Sequence, residues 1–96
     1  MRLLLIEDDK VLRTTLKADL ERAGYGVDAA ADGETGEFLG ATEAYAVAIL
    51  DLGLPRVPGL EILRRWRNAG VQFPVIVLTA RAQWHERVEG LKAGAD

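Results

Sequence analysis

Residues 3–9 read LLLIEDD, an apolar run that ends on three consecutive acids. Two later runs have a similar form, since residues 47–51 read VAILD and residues 75–79 read VIVLT. Short apolar runs of this kind are typical of strands that are covered on both faces of a parallel sheet. Neighbouring parallel strands end at the same edge of the sheet, about 4.8 Å apart per strand. We therefore predict one shared pocket for the polar side chains at these ends, which are Glu7, Asp8, Asp51 and Thr79.

Size and composition favour one ordinary globular domain. The chain has 96 residues, a net charge of -3 and no cysteine, so disulfides, thiolate metal sites and cysteine nucleophiles are excluded. The negative charge disfavours nucleic-acid binding by this segment, which would require a basic face. No apolar run approaches the roughly 18 residues of a membrane span, and the acids after residue 6 do not fit a signal peptide. We expect a cytoplasmic domain over residues 1–96 with no membrane partner.

Strand-like and helix-like segments alternate along the chain. The predicted strands are Arg2–Ile6, Val27–Ala31, Ala46–Leu50 and Pro74–Leu78. The predicted helices are Lys10–Ala23, Glu34–Ala41, a third that ends near Asn68, and Trp84–Ala93. Strict alternation is typical of right-handed βαβ units in an α/β fold with a parallel sheet.

The acids at the strand ends suggest a magnesium site. Ligands of open α/β sheets bind beyond the carboxyl ends of the strands, where the strand order reverses. Mg²⁺ prefers one or two carboxylates together with waters and phosphate oxygens. We expect Asp8 and Asp51 to bind the ion directly, Glu7 to act through a water, and the backbone carbonyl of Gly53 to fill another position.

The same pocket is suited to a phosphoryl group. A carboxylate can take a phosphoryl group as an acyl phosphate, which makes Asp51 the candidate nucleophile. The hydroxyl of Thr79 could donate a hydrogen bond to a phosphoryl oxygen, and the small Ala80 beside it would leave room for the group.

The motifs occur in the order and on the elements of a known family. Residues 5–9 (LIEDD), residues 50–55 (LDLGLP) with Gly59, and residues 78–81 (LTAR) together resemble the receiver domain of two-component response regulators. Residues 86–96 (ERVEGLKAGAD) are similar to the fourth helix of the subfamily of transcription factors with winged-helix output domains. The resemblance covers the whole chain.

This resemblance implies a fold and a function. The fold would be a flavodoxin-like, doubly wound parallel sheet with strand order 2-1-3-4, lacking the family's fifth strand and fifth helix. Asp51 would accept the phosphoryl group from a sensor histidine kinase in a Mg²⁺-dependent reaction, and Glu7 and Asp8 would hold the metal. Thr79 would relay phosphorylation to the rest of the domain by moving toward the phosphoryl group. The domain would not be an enzyme beyond its own phosphotransfer and dephosphorylation.

The resemblance also implies partners. A homodimer is expected through a switch and dimer surface that contains Ala80, Arg81 and Arg87. DNA would be bound only through an output domain that this chain lacks. Two departures from the family stand out. Residues 56–58 (RVP) lack a frequent acid, and the family's invariant lysine and switch aromatic would lie beyond Asp96, so we expect a receiver domain that is incomplete at its C-terminus.

Other functions fit parts of the pattern. A Mg²⁺-dependent phosphatase with an aspartyl nucleophile usually has a second aspartate two residues later, where this chain has Gly53. A module that dimerises without phosphorylation remains an alternative. The acids at residues 7–9, taken alone, would also fit a solvated strand end with a helix cap. Nucleotide binding is disfavoured because no glycine-rich loop follows the first strand.

Overall fold

The computed structural model describes residues 1–78, which form four strands and three helices in strict alternation. The elements are β1 (Arg2–Ile6), α1 (Lys10–Arg22), β2 (Gly26–Ala30), α2 (Gly33–Thr42), β3 (Val47–Asp51), α3 (Gly59–Asn68) and β4 (Val75–Leu78). The predicted bounds of these elements agree with the structure to within one residue. The predicted fourth helix, Trp84–Ala93, lies outside the described residues.

The four strands form one parallel sheet in the order β2-β1-β3-β4, which confirms the predicted order. Ile6 pairs with Leu50 across β1 and β3, and Asp51 pairs with Leu78 across β3 and β4. This register brings the carboxyl ends of the three strands to one edge of the sheet.

Helices cover both faces of the sheet, as in a doubly wound fold. On one face the side chains of α3 pack with alternate strand residues in a cluster that includes Leu4, Ile6, Leu50, Ile62, Leu63 and Trp66. On the other face Leu16 and Leu20 of α1 pack on Leu3, Leu5 and Val27. Trp66 is 1% exposed and packs edge-on against Phe73, with ring centroids 5.1 Å apart, so it lies in the core.

Helix α2 lies close to its neighbours because glycines form its inner face. A Cβ atom at Gly40 would lie 2.7 Å from Nε1 of Trp66, and one at Gly36 would lie 2.6 Å from Cγ1 of Ile6. The Nε1 group of Trp66 donates a hydrogen bond to the carbonyl oxygen of Glu37, at 3.1 Å. The Glu37 carboxylate in turn pairs with Arg65 at 2.9 Å. These contacts fix α2 against α3.

Two apolar side chains are more exposed than the sequence pattern predicts. Phe38 of α2 is 65% exposed, because the inward side of this helix is formed by glycines and Leu39. Ile76 of β4 is 53% exposed, so the prediction that the apolar strands are covered on both faces is wrong at this residue. Among the described elements, the helix on that side of the sheet is α1, which packs over β1 and β2. None of the helices within residues 1–78 is both long enough and apolar enough to cross a membrane.

Candidate functional site

Three of the predicted acidic residues meet at the carboxyl edge of the sheet. Glu7 and Asp8 directly follow β1, and Asp51 is the last residue of β3. One carboxylate oxygen from each of the three lies within 4.8 Å of the others. The chain proceeds to β2 on one side of β1 and to β3 on the other side. The acids therefore lie where the strand order reverses, the usual ligand position in open α/β sheets.

Glu7 is the buried member of this acidic cluster. It is 4% exposed, and its Oε2 atom accepts a hydrogen bond from the backbone N–H of Asp9 at 3.1 Å. Burial raises the pKa of Glu7 from its ordinary value of 4.5 to about 7, against the opposing effect of the Asp9 hydrogen bond. Hydrogen bonding and charge repulsion from the neighbouring Asp51 and Asp8 contribute to this rise in pKa, after burial. A negative charge on Glu7 is therefore poorly solvated and lies close to two further carboxylates.

Asp51 is oriented by the turn that follows β3. Its Oδ1 atom accepts a hydrogen bond from the backbone N–H of Gly53 at 2.9 Å, the pattern of an Asx turn. The start of α3 presses on the same backbone, since a Cβ atom at Gly59 would lie 2.9 Å from Cα of Leu52. Glycine at position 59 therefore allows α3 to begin directly beside the Asp51 segment. Gly53 itself is exposed at the edge of the cluster.

The acidic loop, residues 7–9, is tied to α1. Asp9 is the N-cap of this helix, as its Oδ1 atom accepts a hydrogen bond from the N–H of Leu12 at 3.0 Å. Nη1 of Arg13 donates hydrogen bonds to the backbone carbonyl oxygens of Glu7, at 2.9 Å, and of Asp8, at 3.2 Å. Arg13 was not among the site residues predicted from the sequence. Its position offers a signal, because a helical side chain points toward the N-terminus and a long one in the first turn can reach the preceding loop.

The donor set fits a hard divalent cation. The three carboxylates offer only oxygen ligands, which Mg²⁺ prefers over nitrogen or sulfur. Among residues 1–78, no cationic side chain forms an ion pair with any of the three. Three carboxylates this close together, one of them buried and none with a basic partner, are stabilised by a cation, since they otherwise repel one another.

Four predicted site residues lie outside the described residues. They are Thr79, Ala80, Arg81 and Arg87. The roles expected for them in phosphoryl binding, switching and dimerisation stay predictions.

The chain is similar to known proteins in both sequence and fold. A family model described as the response regulator receiver domain matches residues 3–96. The whole chain is 46% identical over 96 residues to the virulence transcriptional regulatory protein PhoP of Salmonella typhimurium. The chain spans 43% of the length of that relative.

Two solved structures show similar folds with informative ligands. One is the receiver domain of a sensor histidine kinase from Pseudomonas aeruginosa, with a magnesium ion coordinated in its active site cleft. It is 33% identical with a TM-score of 0.88, and the match covers 99% of this chain and 80% of that one. The other is a response regulator protein from Burkholderia pseudomallei with a phosphorylated aspartic acid, a calcium ion and citrate. It is 30% identical with a TM-score of 0.91, over 99% of this chain and 56% of that one.

Proposed function

The chain belongs to the response regulator receiver domain family, and on that premise we propose that it is a phosphoacceptor domain in which Asp51 receives the phosphoryl group. The donor would be the phosphohistidine of a sensor kinase. The observation that carries this proposal is the meeting of Glu7, Asp8 and Asp51 within 4.8 Å at the edge of the sheet.

Among the three acids, Asp51 has the surroundings of a nucleophile. Glu7 is almost fully buried and has a pKa of about 7, so a large fraction of it is protonated near neutral pH. Asp51 is half-buried at the end of β3, and the N–H of Gly53 fixes one of its oxygens. A carboxylate oxygen of Asp51 would attack phosphorus while the bond from phosphorus to the donor nitrogen breaks, which leaves an acyl phosphate.

Glu7, Asp8 and Asp51 are the residues that would hold Mg²⁺, together with the Gly53 carbonyl. When bound, Mg²⁺ supplies positive charge that offsets repulsion between the carboxylates and the phosphoryl oxygens. The ion reported in the Pseudomonas aeruginosa receiver domain and the phosphorylated aspartic acid in the Burkholderia pseudomallei protein support this assignment. Asp51 would be consumed by phosphorylation and restored by hydrolysis, so the chain would act as a regulator rather than as an enzyme on a separate substrate.

The wider role is also part of the proposal. The similar PhoP protein is a transcriptional regulator more than twice as long as this chain. We propose that the receiver domain controls a DNA-binding output domain, and that Thr79 links phosphorylation to dimerisation through Ala80, Arg81 and Arg87. DNA would be bound by the output domain only.

Phosphorylation at Asp51 is tested with acetyl phosphate and Mg²⁺. Intact-mass spectrometry should show the gain of one phosphoryl group in the wild-type chain and in Asp19→Asn, whose carboxylate is exposed on α1. Asp51→Asn should show no gain, and chelation of Mg²⁺ should prevent the gain in the wild type.

Other results would favour the alternatives. Repeated hydrolysis of an aryl phosphate by the chain would indicate a phosphatase. A wild-type chain that dimerises but is modified neither by acetyl phosphate nor by phosphorylated kinases would indicate a module that acts without phosphorylation. Equal modification of Asp51→Asn and wild type would exclude Asp51 as the acceptor.

A further inference from the structure

Arg13 of α1 contacts the loop that carries two of the three acids. We propose that Arg13 is a positioning residue, whose guanidinium holds residues 7–9 in the conformation that presents the carboxylates of Glu7 and Asp8 to a divalent cation. This inference rests on the proposed function of the acidic cluster as a Mg²⁺-dependent phosphoacceptor site.

The contacts of the loop single out this side chain. One nitrogen, Nη1 of Arg13, donates to the carbonyl oxygens of both Glu7 and Asp8, at 2.9 and 3.2 Å. The carboxylate of Asp51 also lies beside that of Glu7. Among residues 1–78, however, no cationic side chain other than Arg13 bonds to Glu7 or Asp8. Arg13 is half-buried, so this interaction is partly shielded from water.

The remaining contacts of the loop act at other points. The N–H of Glu7 donates to the carbonyl oxygen of Ala30 at 3.1 Å, which extends the pairing of β1 with β2. Asp9 caps α1 at the far end of the loop. Asp8 lies between these points and is exposed. Its backbone carbonyl accepts a hydrogen bond from Arg13, which restrains the backbone from which the Asp8 carboxylate extends.

Arg13 could affect Mg²⁺ binding by positioning the ligands or by its positive charge, and these two effects have opposite signs. A positive charge close to a cation site repels the cation, so removing Arg13 would tighten Mg²⁺ binding if its charge were its main effect. Loss of a residue that orients metal ligands weakens binding, typically by about 10- to 100-fold. The sign of the change therefore separates the two effects.

The test measures Mg²⁺ affinity by titration calorimetry in the wild-type chain, in Arg13→Met and in Arg22→Met. Arg22 is a matched control because it lies on the same helix, is exposed, and pairs with Asp19 far from the loop. We expect Arg13→Met to weaken Mg²⁺ binding by about tenfold or more, and Arg22→Met to leave it within about twofold. Binding is measured at a temperature well below the thermal unfolding midpoint of each variant. Unfolding then cannot be mistaken for a loss of affinity.

A second measurement reports on the conformational stability of residues 7–9 in the absence of metal. Amide hydrogen exchange at Asp9 and Leu12, whose N–H groups bond within the loop and its cap, should be faster in Arg13→Met than in Arg22→Met. Unchanged or tighter Mg²⁺ binding by Arg13→Met would overturn the role of Arg13 while leaving the proposed function intact. Failure of the wild type to bind Mg²⁺ would instead refute the proposed function.

Discussion

At the scale of single residues, Glu7 has the most unusual environment in the described part of the chain. It is a carboxylic acid at 4% exposure, beside two further acids at the end of a strand. Such a group is favoured in its protonated form unless a cation compensates its charge. With a pKa of about 7, Glu7 changes between its protonated and its charged form close to physiological pH.

Replacing Glu7 should therefore change how stability depends on pH. In the wild type the pKa rises from 4.5 in the unfolded chain to about 7 in the fold, so the folded state binds more protons between these values. The contribution of Glu7 to stability is therefore fully present below pH 4.5 and is lost as the pH rises through that window. Glu7→Gln removes this loss, and without divalent cations it should be more stable than wild type above pH 7, by up to about 3 kcal/mol.

Urea unfolding at several pH values, with a chelator present, checks this expectation. Glu21→Gln is the control, because Glu21 is exposed on α1 and its replacement should preserve the wild-type slope. A Glu7→Gln protein with the same pH slope as wild type would contradict the assignment of a raised pKa to Glu7.

Residue-scale contacts were the hardest feature to predict from the sequence. The acids could be predicted to meet because strand ends meet at one edge. The hydroxyl of Tyr45 donates to Asp28 at 2.7 Å, and Arg2 pairs with the same carboxylate at 2.8 Å, yet these residues are 17 and 26 positions from Asp28. Hydrophobic periodicity carries no information on such polar partners. The contact of Arg13 with residues 7–9 could not be predicted for a related reason. An arginine in an amphipathic helix first suggests a solvent-exposed face.

At the scale of elements, α2 packs mainly through glycines, with Leu39 as its large apolar contact to the core. Phe38, the largest apolar residue of the helix, is exposed, whereas Leu39 packs against the core and glycines form the rest of the inner face. Patterns of hydrophobic residues therefore predicted the extent of α2 but not its inner face. The spacing of Gly33, Gly36 and Gly40 was the available signal, since residues three and four apart share one side of a helix.

Gly40→Ala tests this close packing. The new Cβ would lie 2.7 Å from Nε1 of Trp66, in a core where the indole is 1% exposed and has little room to move. Overpacking costs about 1–3 kcal/mol, which exceeds the gain of about 1 kcal/mol in helix propensity from glycine to alanine. We expect a net loss of stability by chemical denaturation, and no more than about 0.5 kcal/mol for the exposed Phe38→Ala on the same helix. A Gly40→Ala protein that is more stable than wild type would show that α2 is free to move outward.

At the scale of the whole molecule, local pattern and family resemblance contributed different parts of the prediction. Alternating apolar runs and helical stretches predicted an α/β fold with element bounds correct to within one residue. The order of the strands came from the resemblance, because alternation alone is compatible with several orders of a parallel sheet. Once the order is fixed, the register of β1 with β3 brings the acidic cluster together.

Because the acidic cluster joins residues from two strands, cation binding should stabilise the whole fold. The unfolded chain does not hold Glu7, Asp8 and Asp51 near one another, so Mg²⁺ binds the folded state preferentially. At a free Mg²⁺ concentration of about 100 times the dissociation constant, the free energy of unfolding should rise by about 2.7 kcal/mol. The increase should be larger at about pH 8 than at about pH 6, because protonated Glu7 opposes binding at the lower pH. Urea titrations at constant ionic strength measure it, with Asp19→Asn expected to match wild type and Asp51→Asn to show a smaller increase. An equal increase in Asp51→Asn and wild type would mean that Mg²⁺ stabilises the chain from some other site.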